Sequence, residues 1–558
     1  MPTTHADRLF ERIEGLTAQR DDEPGVAVSV IRGAHVIARR HVGLASLAHR
    51  VPIGQRTRFH IVSVSKTFMA AAVLVLAARG ALRLEDDVRL HLPELPPDIS
   101  PGGALTIRHL LSMTSGLRDV LEIERLRGVW GTAPSRTRDL LDLTRRITGV
   151  SAPPGAQYMY ANVNALLLDE LIARVSGLSS EAFRRAVLYE PLGLVDTAAR
   201  PHEGLVVPDL AEPYVPDAAG GWSRATDLLG IAADPLTTSL GDLTRWVLAL
   251  RAGVVGGIAV TGAMAERTRL RDGTLIHYGL GLAVRRYRGL TVLCHSGSQP
   301  GYKTHIAYVP ERDVGAVILS NRDDTRAAAL AAAILEEAIG RDFPGPHPAT
   351  EVRRRVDRAG FTPEQQATLP GSYVDVDAGE WMSLAIEDSV LRGETLGDPV
   401  TFYHDGGGVF RDADDYRGTV PAELRIELAH DGGVTCRLRL GGQDMVLRRH
   451  ETPWYTPEAL AAFAGCYESE EIDSRHRVRV HGAKLVVEYG LGGDGGRAFA
   501  MKPIAPDVFL VEPTGPGIAY RHVFRFERDG AGAVVAAVVT MERLKGVRLA
   551  RTAPPEGA

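Results

Sequence analysis

The sequence beyond residue 360 repeats a short pattern at a fixed offset of 94 residues. A Thr-Pro-Glu triplet is followed by a Gly and then a Tyr, first as Thr362-Pro363-Glu364, Gly371 and Tyr373, and again as Thr456-Pro457-Glu458, Gly465 and Tyr467. Each copy leads into short alternating runs that Gly and Asp interrupt, a pattern typical of antiparallel β-structure. We therefore expect a duplicated unit, two small antiparallel barrels or sandwiches that each begin with a short helix.

The first 340 residues have a different pattern, with β-like runs at both ends and helix-like runs between them. The expected strands are residues 26–31, 36–42, 281–286, 290–295, 305–309 and 314–320, and the expected helices include 7–19, 68–78, 161–175 and 325–339. This order predicts a mixed sheet built from both ends of the segment, in an α+β arrangement. The Pro-rich run 343–348 is typical of a linker. We expect domains at 1–342, 361–451 and 452–558, with a linker at 343–360.

Composition is that of a globular protein and excludes several classes of partner. Hydrophobic residues make up 45% and charged residues 24% of the 558 residues, and the net charge is −5. That charge gives no reason to expect nucleic acid or a membrane surface as a partner. Cys294, Cys436 and Cys466 are too few and too scattered for a disulfide framework or a zinc site. We expect no metal and no cofactor, and the polar first 20 residues favour a cytoplasmic location.

The best candidate for chemistry is Ser63-Val64-Ser65-Lys66, which lies between a β-like run and a long apolar, Ala-rich run. Residues three apart on a helix share a face, so a hydroxyl and an amine would lie side by side. The chain has only five lysines, at 66, 303, 484, 502 and 545, and only Lys66 has a Ser three residues before it. Unlike Arg, Lys can lose its proton inside a protein. The pattern therefore favours a serine nucleophile with a lysine base, and a chance pairing at the start of a helix is the alternative.

Two further motifs could supply the rest of an acyl-transfer site. Tyr160-Ala161-Asn162 is the only Tyr-x-Asn in the sequence and could provide a proton carrier and an orienting amide. A Tyr at the start of a buried helix, with Asn as its cap, is the alternative. His295-Ser296-Gly297 ends an apolar strand, where the His side chain could reach a site at the edge of the sheet. Backbone N–H groups at Gly297 and Ser298 could then bind a substrate oxygen.

In this order, the three motifs resemble those of the penicillin-recognising serine hydrolases, a family of class C β-lactamases, D-alanyl-D-alanine carboxypeptidases, related esterases and D-aminopeptidases. The resemblance covers about residues 10–340. It implies a β-lactamase/transpeptidase-like fold, with Ser63 as the acylated nucleophile, Lys66 as its base and Tyr160 as a proton relay. Asn162 and His295 would complete the catalytic set, and the N–H groups of Ser63 and Ser298 would form the oxyanion hole.

The third motif departs from the common pattern in a way that bears on specificity. The β-lactamases and carboxypeptidases typically have Lys-Thr-Gly there, and its lysine holds the carboxylate of the substrate. His295 stands in place of that lysine, as in D-aminopeptidases and some esterases. Because a permanent charge is lost, recognition of a free C-terminal carboxylate is put in doubt.

The two trailing β domains also resemble bacterial D-aminopeptidases, in which a catalytic domain precedes two eight-stranded, lipocalin-like barrels. In that family, a loop of the last domain reaches into the active site and shapes the pocket for the free amine of the substrate. The candidate loop is residues 490–497, where Asp494, between Gly493 and Gly495, could bind the substrate ammonium. The alternative is a plain hairpin turn.

The leading hypothesis is a D-stereospecific serine aminopeptidase that hydrolyses small D-amino acid peptides, amides or esters through an acyl-enzyme. The resemblance further suggests a homodimer and inhibition by β-lactams. The second hypothesis is an esterase, or a D-Ala-D-Ala carboxypeptidase or β-lactamase-like hydrolase, on the same fold. The third is a penicillin-binding sensor that is acylated without turnover.

Overall fold

The computed structural model describes residues 11, 15 and 21–552, apart from 101–102, 129–136, 148, 203, 226–234, 348–360, 389, 398, 407–408, 413–421, 429–433, 491–497 and 513–519. The helix expected at 7–19 therefore lies outside the described residues. Among the helices that are described, none has the length and apolar character needed to span a membrane.

A six-stranded sheet forms the centre of the first domain. In spatial order its strands are Ala283–Tyr287, Leu290–Gln299, Tyr302–Val309, Val314–Ser320, Val26–Arg32 and His35–Val42. The first strand of the chain therefore pairs with one from the end of the domain, as predicted. Every neighbouring pair is antiparallel, whereas a mixed sheet was expected. Short turns join the successive strands, and such turns allow only antiparallel pairing, whereas Val26–Arg32 and Val314–Ser320 are antiparallel although no short turn joins them.

Each face of this sheet is covered by helices. Alternate residues of the first strand divide between the faces, because side chains along a strand point to opposite sides. Ala27 and Ile31 pack with the helices Ser65–Ala78, Val163–Ser176 and Leu240–Ala252. Val28 and Val30 pack with the C-terminal helix Ala327–Ile339. The result is a three-layer α+β domain, as the sequence predicts.

The remaining elements of this domain are short. The other helices are Ile107–Leu111, Val120–Leu126, Thr137–Thr144, Ser180–Arg184, the π-helical Arg185–Tyr189, Glu190–Leu192 and Thr261–Ala265. Single 3-10 turns lie at Val62–Val64, Val88–Leu90, Pro97–Ile99, Pro310–Arg312 and Gly340–Asp342. Small sheets pair Leu44–Ser46 with Val51–Pro52, Tyr214–Pro216 with Trp222–Arg224, Val254–Val255 with Ile258–Ala259, and Leu236–Ser239 with both Arg58–His60 and Ala198–Ala199.

Two closed, eight-stranded antiparallel barrels follow, and they confirm the barrel form of the prediction. The first barrel contains Gly371–Asp375, Glu380–Glu387, Val390–Thr395, Val400–Gly406, Val409–Asp412, Ala422–Leu428, Val434–Leu440 and Gln443–Arg449. The second contains Gly465–Ser469, Ser474–His481, Lys484–Tyr489, Ala498–Ala505, Val508–Val511, His522–Arg528, Val534–Met541 and Leu544–Thr552.

The repeated sequence pattern has the same structural role in both barrels. Helices Pro363–Thr368 and Pro457–Ala461 precede the barrels, and the Thr before each Pro caps its helix with the side-chain oxygen. The hydroxyls of Tyr373 and Tyr467 each donate a 2.7 Å hydrogen bond to the carbonyl four residues earlier. This bond ties the first strand of each barrel to the end of its helix.

The barrels pack against the first domain and against each other. Ile123, Leu126, Leu143 and Ile147 of the first domain belong to the apolar core cluster of the second barrel. Trp381 and Leu396 of the first barrel share a cluster with strands of the second. The three domains therefore bury common apolar surface. Residues 1–342, 361–451 and 452–558 stay our proposed domain limits.

In each barrel, the turn that joins the last two strands contacts the first domain. In the first barrel, this turn is Gly441-Gly442, and the Gly441 carbonyl accepts a 2.9 Å hydrogen bond from the N–H of Tyr158. In the second barrel, it is Glu542-Arg543, and the Arg543 carbonyl accepts a 3.0 Å hydrogen bond from the N–H of Asp119. Both contacts lie close in sequence or in space to the Tyr160 motif.

Candidate active site

Ser63 lies in the 3-10 turn Val62–Val64, which leads directly into the helix Ser65–Ala78. The backbone of Val62 has a φ of +50°, a left-handed conformation that β-branched residues rarely adopt. Strain of this kind is concentrated at functional sites. Lys66 lies on the same face as Ser63, and its Nζ donates a 3.1 Å hydrogen bond to Ser63 Oγ. The structure therefore brings together the pair that the three-residue spacing predicts.

The helix that carries Lys66 is fixed by contacts along its length. Phe68 stacks on Trp246 with ring centroids 4.0 Å apart, and Trp246 Nε1 donates to Thr67 Oγ1 at 2.9 Å. Gly281 packs so closely that an added Cβ would stand 2.8 Å from the carbonyl oxygen of Lys66. Because the helix cannot shift without disturbing close-packed neighbours, the amine keeps its position beside Ser63.

Asn162 joins Lys66 to a buried carboxylate. Its Oδ1 accepts a 3.1 Å hydrogen bond from Lys66 Nζ, and its Nδ2 donates to Asp119 Oδ2 at 3.2 Å. The backbone N–H of Asn162 donates to Asp119 Oδ1 at 3.0 Å. Asn162 occupies the N-cap position of the helix Val163–Ser176, but its side chain makes no capping bond. The geometry therefore contradicts the alternative of a simple helix cap, since the amide is used to orient the amine.

Tyr160 completes the cluster around the amine. Lys66 Nζ lies 5.2 Å from the centroid of the Tyr160 ring, and the His295 ring centroid is 6.2 Å from it. Within the described part of the chain, the buried Tyr160 hydroxyl has no hydrogen-bond partner. A buried hydroxyl without a partner is uncommon in proteins. Beside a nucleophile, such a group is suited to exchange a proton with a bound substrate.

His295 is a neutral imidazole. Burial, and then the charge of Lys66, lowers the pKa of His295 to about 3. Its Nδ1 lies 2.9 Å from the carbonyl oxygen of Ser296, which can only accept, so Nδ1 carries the proton. Nε2 therefore accepts the hydrogen bond from the Tyr278 hydroxyl, 3.0 Å away. The third motif thus places no positive charge in the site.

The strand Leu290–Gln299 presents a free edge to the nucleophile. Its neighbour Ala283–Tyr287 pairs only with residues 290–294, so in the described sheet no strand covers residues 295–299 on that side. An added Cβ at Gly297 would overlap the carbonyl oxygen of Ile61, two residues before Ser63. Ser298 follows directly, which is compatible with the predicted oxyanion hole at the N–H groups of Ser63 and Ser298. That assignment stays a prediction.

Sequence reasoning missed two residues of this site, Asp119 and Tyr278. Asp119 precedes the helix Val120–Leu126 and accepts a hydrogen bond from the N–H of Leu121, so an N-cap signal was present. That signal indicates a helix start and not a contact with Asn162. Tyr278 has no comparable signal, because its bond to His295 depends on how a loop packs against the sheet.

The predicted specificity loop lies partly beyond what the structure describes. Asp494, Gly493 and Gly495 fall within 491–497, outside the described residues. Gly490, at the start of the loop, is described, and the backbone there lies against Gly128 of the catalytic domain. The role of Asp494 stays a prediction.

The geometry described above suits acyl transfer to a serine. A hydroxyl, an amine that contacts it, a phenol and the free edge of a strand converge, and these are the parts that a serine acyl-enzyme needs. Among the described residues, no group of three or more His, Cys, Asp or Glu side chains is arranged to hold a metal ion.

Comparison with known proteins agrees with this geometry. The family model described as Beta-lactamase matches residues 10–339, which is more than half of the chain. A relative from Gluconobacter oxydans (strain 621H), named D-aminopeptidase, is 26% identical over 551 residues, covering 97% of this chain and 98% of the relative. A relative from Bacillus subtilis (strain 168), named penicillin-binding protein 4*, is 27% identical over 417 residues, covering 70% of this chain and 87% of the relative.

A solved structure supports the fold over most of the chain. The octameric penicillin-binding protein homologue from Pyrococcus abyssi superposes with a TM-score of 0.55 at 20% identity, covering 88% of this chain and 99% of the other. At this level of identity, the likeness concerns the fold alone.

Proposed function

Because the chain belongs to the beta-lactamase family, we propose that it is a D-stereospecific serine aminopeptidase, which hydrolyses N-terminal D-amino acid residues from small peptides, amides and esters. The observation that carries the proposal is the 3.1 Å hydrogen bond from Lys66 Nζ to Ser63 Oγ beside a neutral His295. The relative from Gluconobacter oxydans, which covers nearly the whole chain, adds support through its name.

In the proposed acylation step, Ser63 Oγ bonds to the substrate carbonyl carbon while Lys66 accepts the hydroxyl proton. The N–H groups of Ser63 and Ser298 stabilise the oxyanion of the tetrahedral intermediate. When the C–N bond breaks, Tyr160 transfers a proton to the departing amine and regains one from the Lys66 ammonium. Water then attacks the acyl-enzyme ester and gives a proton to Lys66. That proton passes to Ser63 Oγ as the ester bond breaks, so the free D-amino acid leaves and the Ser63 hydroxyl is restored.

The neutral third motif supports a substrate without a carboxylate at this position. A fixed cation there would bind a C-terminal carboxylate, and His295 carries no charge at neutral pH because its pKa is about 3. The substrate ammonium still needs an anion, and Asp494 remains our proposed partner for it.

Hydrolysis of D-alanine p-nitroanilide tests this proposal. We expect turnover of the D-substrate and little turnover of the L-form. Ser63→Ala should abolish it, whereas Ser65→Ala is the matched control, since in the described structure the Ser65 hydroxyl makes no hydrogen bond. Equal cleavage of the D- and L-forms, or none of either, would contradict the proposal.

An esterase or carboxypeptidase-like hydrolase on the same fold is the second candidate, favoured by the similarity to penicillin-binding protein 4*. A chain that ends at residue 342 separates the two, because a fragment with unchanged activity and specificity would favour this candidate. For a sensor, a β-lactam should label Ser63 stoichiometrically while no amide or ester is hydrolysed. A screen of D- and L-aminoacyl amides, with and without N-acetylation, distinguishes the aminopeptidase, the esterase or carboxypeptidase and the sensor.

We also propose a homodimer with a cytoplasmic location. Light scattering on the purified full-length chain tests the dimer against a larger assembly, such as the octamer named for the similar structure from Pyrococcus abyssi. Cell fractionation tests the location.

A further inference from the structure

The Glu542-Arg543 turn of the second barrel is held against the catalytic domain by backbone contacts. The carbonyl oxygen of Arg543 accepts a 3.0 Å hydrogen bond from the N–H of Asp119. The N–H of Arg543 donates to Glu122 Oε2 at 2.8 Å, and the N–H of Lys545 donates to Ser151 Oγ at 3.1 Å. The backbone alone therefore fixes where the Arg543 side chain begins.

The guanidinium of Arg543 lies between the Asp119 carboxylate and Tyr160. Its Nη1 is 3.9 Å from Asp119 Oδ2, and its Cζ is 5.4 Å from the centroid of the Tyr160 ring. A cation within about 6 Å of a ring centroid is attracted to the π-system. Asp119 in turn holds the Asn162 amide that contacts Lys66. One side chain of the second barrel therefore contacts both Tyr160 and the Asp119 carboxylate that holds Asn162.

Arg543 supplies a charge that the third motif does not. His295 is neutral, so within the described residues the basic side chains next to the Tyr160 ring are Lys66, at 5.2 Å, and Arg543, at 5.4 Å from the ring centroid, and only Arg543 stays charged when Lys66 serves as the base. During acylation, Lys66 takes a proton from Ser63 and Tyr160 gives one to the leaving group. A fixed positive charge beside Tyr160 stabilises the negative charge that develops there.

We propose that Arg543 is a positioning residue of the active site, by which the second barrel supplies the fixed cation that holds Tyr160 and, through Asp119, Asn162 in place. The proposal rests on the acyl-transfer function proposed above. It makes catalysis in the first domain dependent on one side chain of the third.

Docking of the barrel does not account for this placement. Arg118 forms an ion pair with Glu471, Arg127 forms one with Asp473 at 2.9 Å, and the apolar cluster around Leu126 is shared between the two domains. The backbone bonds of Arg543 also persist whatever its side chain is. Docking alone would not require the Arg543 charge to lie next to the ring of Tyr160.

The test compares Arg543→Gln with Arg543→Lys, which keeps the charge, and with Arg548→Gln as the matched control. Arg548 lies on the same hairpin, is 57% exposed and pairs with Glu527 of its own barrel, so its loss should change little. kcat and KM are measured for D-alanine p-nitroanilide, and the acylation rate of Ser63 is measured with ethyl acetate, an achiral ester whose leaving ethoxide must accept a proton.

We expect Arg543→Gln to lower kcat and the acylation rate by about 10–100-fold, with less than about a threefold change in KM. Arg543→Lys should recover most of that loss. In a Tyr160→Phe background, Arg543→Gln should lower the acylation rate clearly less than in the wild type, because Arg543 can then act only through Asp119 and Asn162.

The pH profile of kcat provides a readout that a structural role alone would leave unchanged. Charged and titratable groups face Arg543 and Tyr160 from several elements, and they are Lys66, Asp119, Glu122, Arg125, Tyr158, Tyr278, His295, Tyr520 and Glu542. Without the positive charge of Arg543, the catalytic base loses its proton less readily. The acidic limb of the kcat profile should therefore move up by about one pH unit in Arg543→Gln and remain in place in Arg543→Lys.

Thermal unfolding identifies variants that are inactive because they do not fold. If Arg543→Gln does not fold, Arg543→Met, which keeps the apolar stem, replaces it. Unchanged kcat and pH profile, or an equal loss in the Tyr160→Phe background, would overturn the proposal. The ester keeps the test independent of D-specificity: if the wild type acylates with the ester but cleaves no D-substrate, the proposed function fails while the role of Arg543 is still decided.

Discussion

Gly297 lies so close to the carbonyl oxygen of Ile61 that any side chain at this position would overlap that oxygen. The contact joins the third motif to the segment that carries Ser63, and the Thr304 hydroxyl reinforces it by donating to the same oxygen at 2.9 Å. The distance between the nucleophile and the strand that faces the substrate is therefore set by a glycine.

Gly297→Ala should separate the strand from Ser63 and lower kcat/KM by about 100-fold, since misplacement by about 1 Å can cost that much. Gly262→Ala is the control, because nothing lies within 4 Å of the Cβ it adds, and alanine is favoured in a helix. Both variants are compared by steady-state kinetics and thermal unfolding. Full activity of Gly297→Ala would show that the contact does not position the site.

Asp119→Asn should reduce catalysis more than binding. Both Asp119 oxygens accept hydrogen bonds from Asn162, and an amide in their place would oppose one donor with another. We expect a loss of about 1–3 kcal/mol in stability and about a tenfold or greater loss in kcat at nearly constant KM. Asp87→Asn, at the N-cap of the 3-10 turn Val88–Leu90, is the control, because Asn caps as well as Asp. A change confined to KM would contradict the prediction.

Tyr373→Phe and Tyr467→Phe should have similar effects, although they lie in different barrels. Each hydroxyl is buried and donates a 2.7 Å hydrogen bond to a carbonyl oxygen four residues before it. Its removal leaves that carbonyl unpaired, at a cost of about 1–2 kcal/mol. Thermal unfolding of the full chain measures both effects. If one variant were strongly destabilised and the other were not, the two bonds would not be equivalent.

Stability should fall steeply below pH 6.5. Burial lowers the pKa of His295, His305 and His476 to about 3, and that of His109 and His522 to about 4. Because these histidines bind protons more readily when unfolded, each contributes stability that is complete above pH 6.5 and is lost as the pH falls toward its folded-state pKa. The slope is up to about 1.4 kcal/mol per pH unit for each histidine.

Unfolding temperatures between pH 8 and pH 5 test the prediction. His476→Phe should reduce the slope of stability against pH by the equivalent of about one bound proton. The reason is that both ring nitrogens of His476 are buried without a hydrogen-bond partner in the described structure. His481→Phe, at the exposed end of the same strand, should leave the slope unchanged. A stability that is flat down to pH 5 would contradict the assignment of neutral buried histidines.

The sequence alone predicts those parts of the fold that depend on local pattern. The apolar runs at residues 26–31 and 314–320 identify strands, and the Thr-Pro-Glu repeat identifies the start of each barrel. The pattern does not determine the direction of pairing, which is why the sheet was expected to be mixed and is antiparallel. Closure of each barrel also depends on pairing between its first and last strands, which no local run of residues specifies.

The contacts of the active site likewise divide into those that local sequence predicts and those that depend on tertiary packing. Ser63 and Lys66 could be identified because their contact follows from spacing on one helix. The contacts of Asp119 with Asn162 and of Tyr278 with His295 are made when separate elements pack together. The role of Arg543 is harder still to predict from sequence, since this residue comes from another domain and its neighbours in sequence resemble an ordinary hairpin turn.

The pairing of Val26 with Ser320 affects the order in which the chain can fold during synthesis. Translation proceeds at about 5–20 residues per second, and the N-terminal hairpin emerges long before the strand beside it. Its edge stays unpaired until residues 314–320 have left the ribosome, and Arg543 follows much later. A nascent chain released early could therefore complete its sheet and still lack the turn that touches Tyr160, so full activity would be reached only after nearly the whole protein has been made.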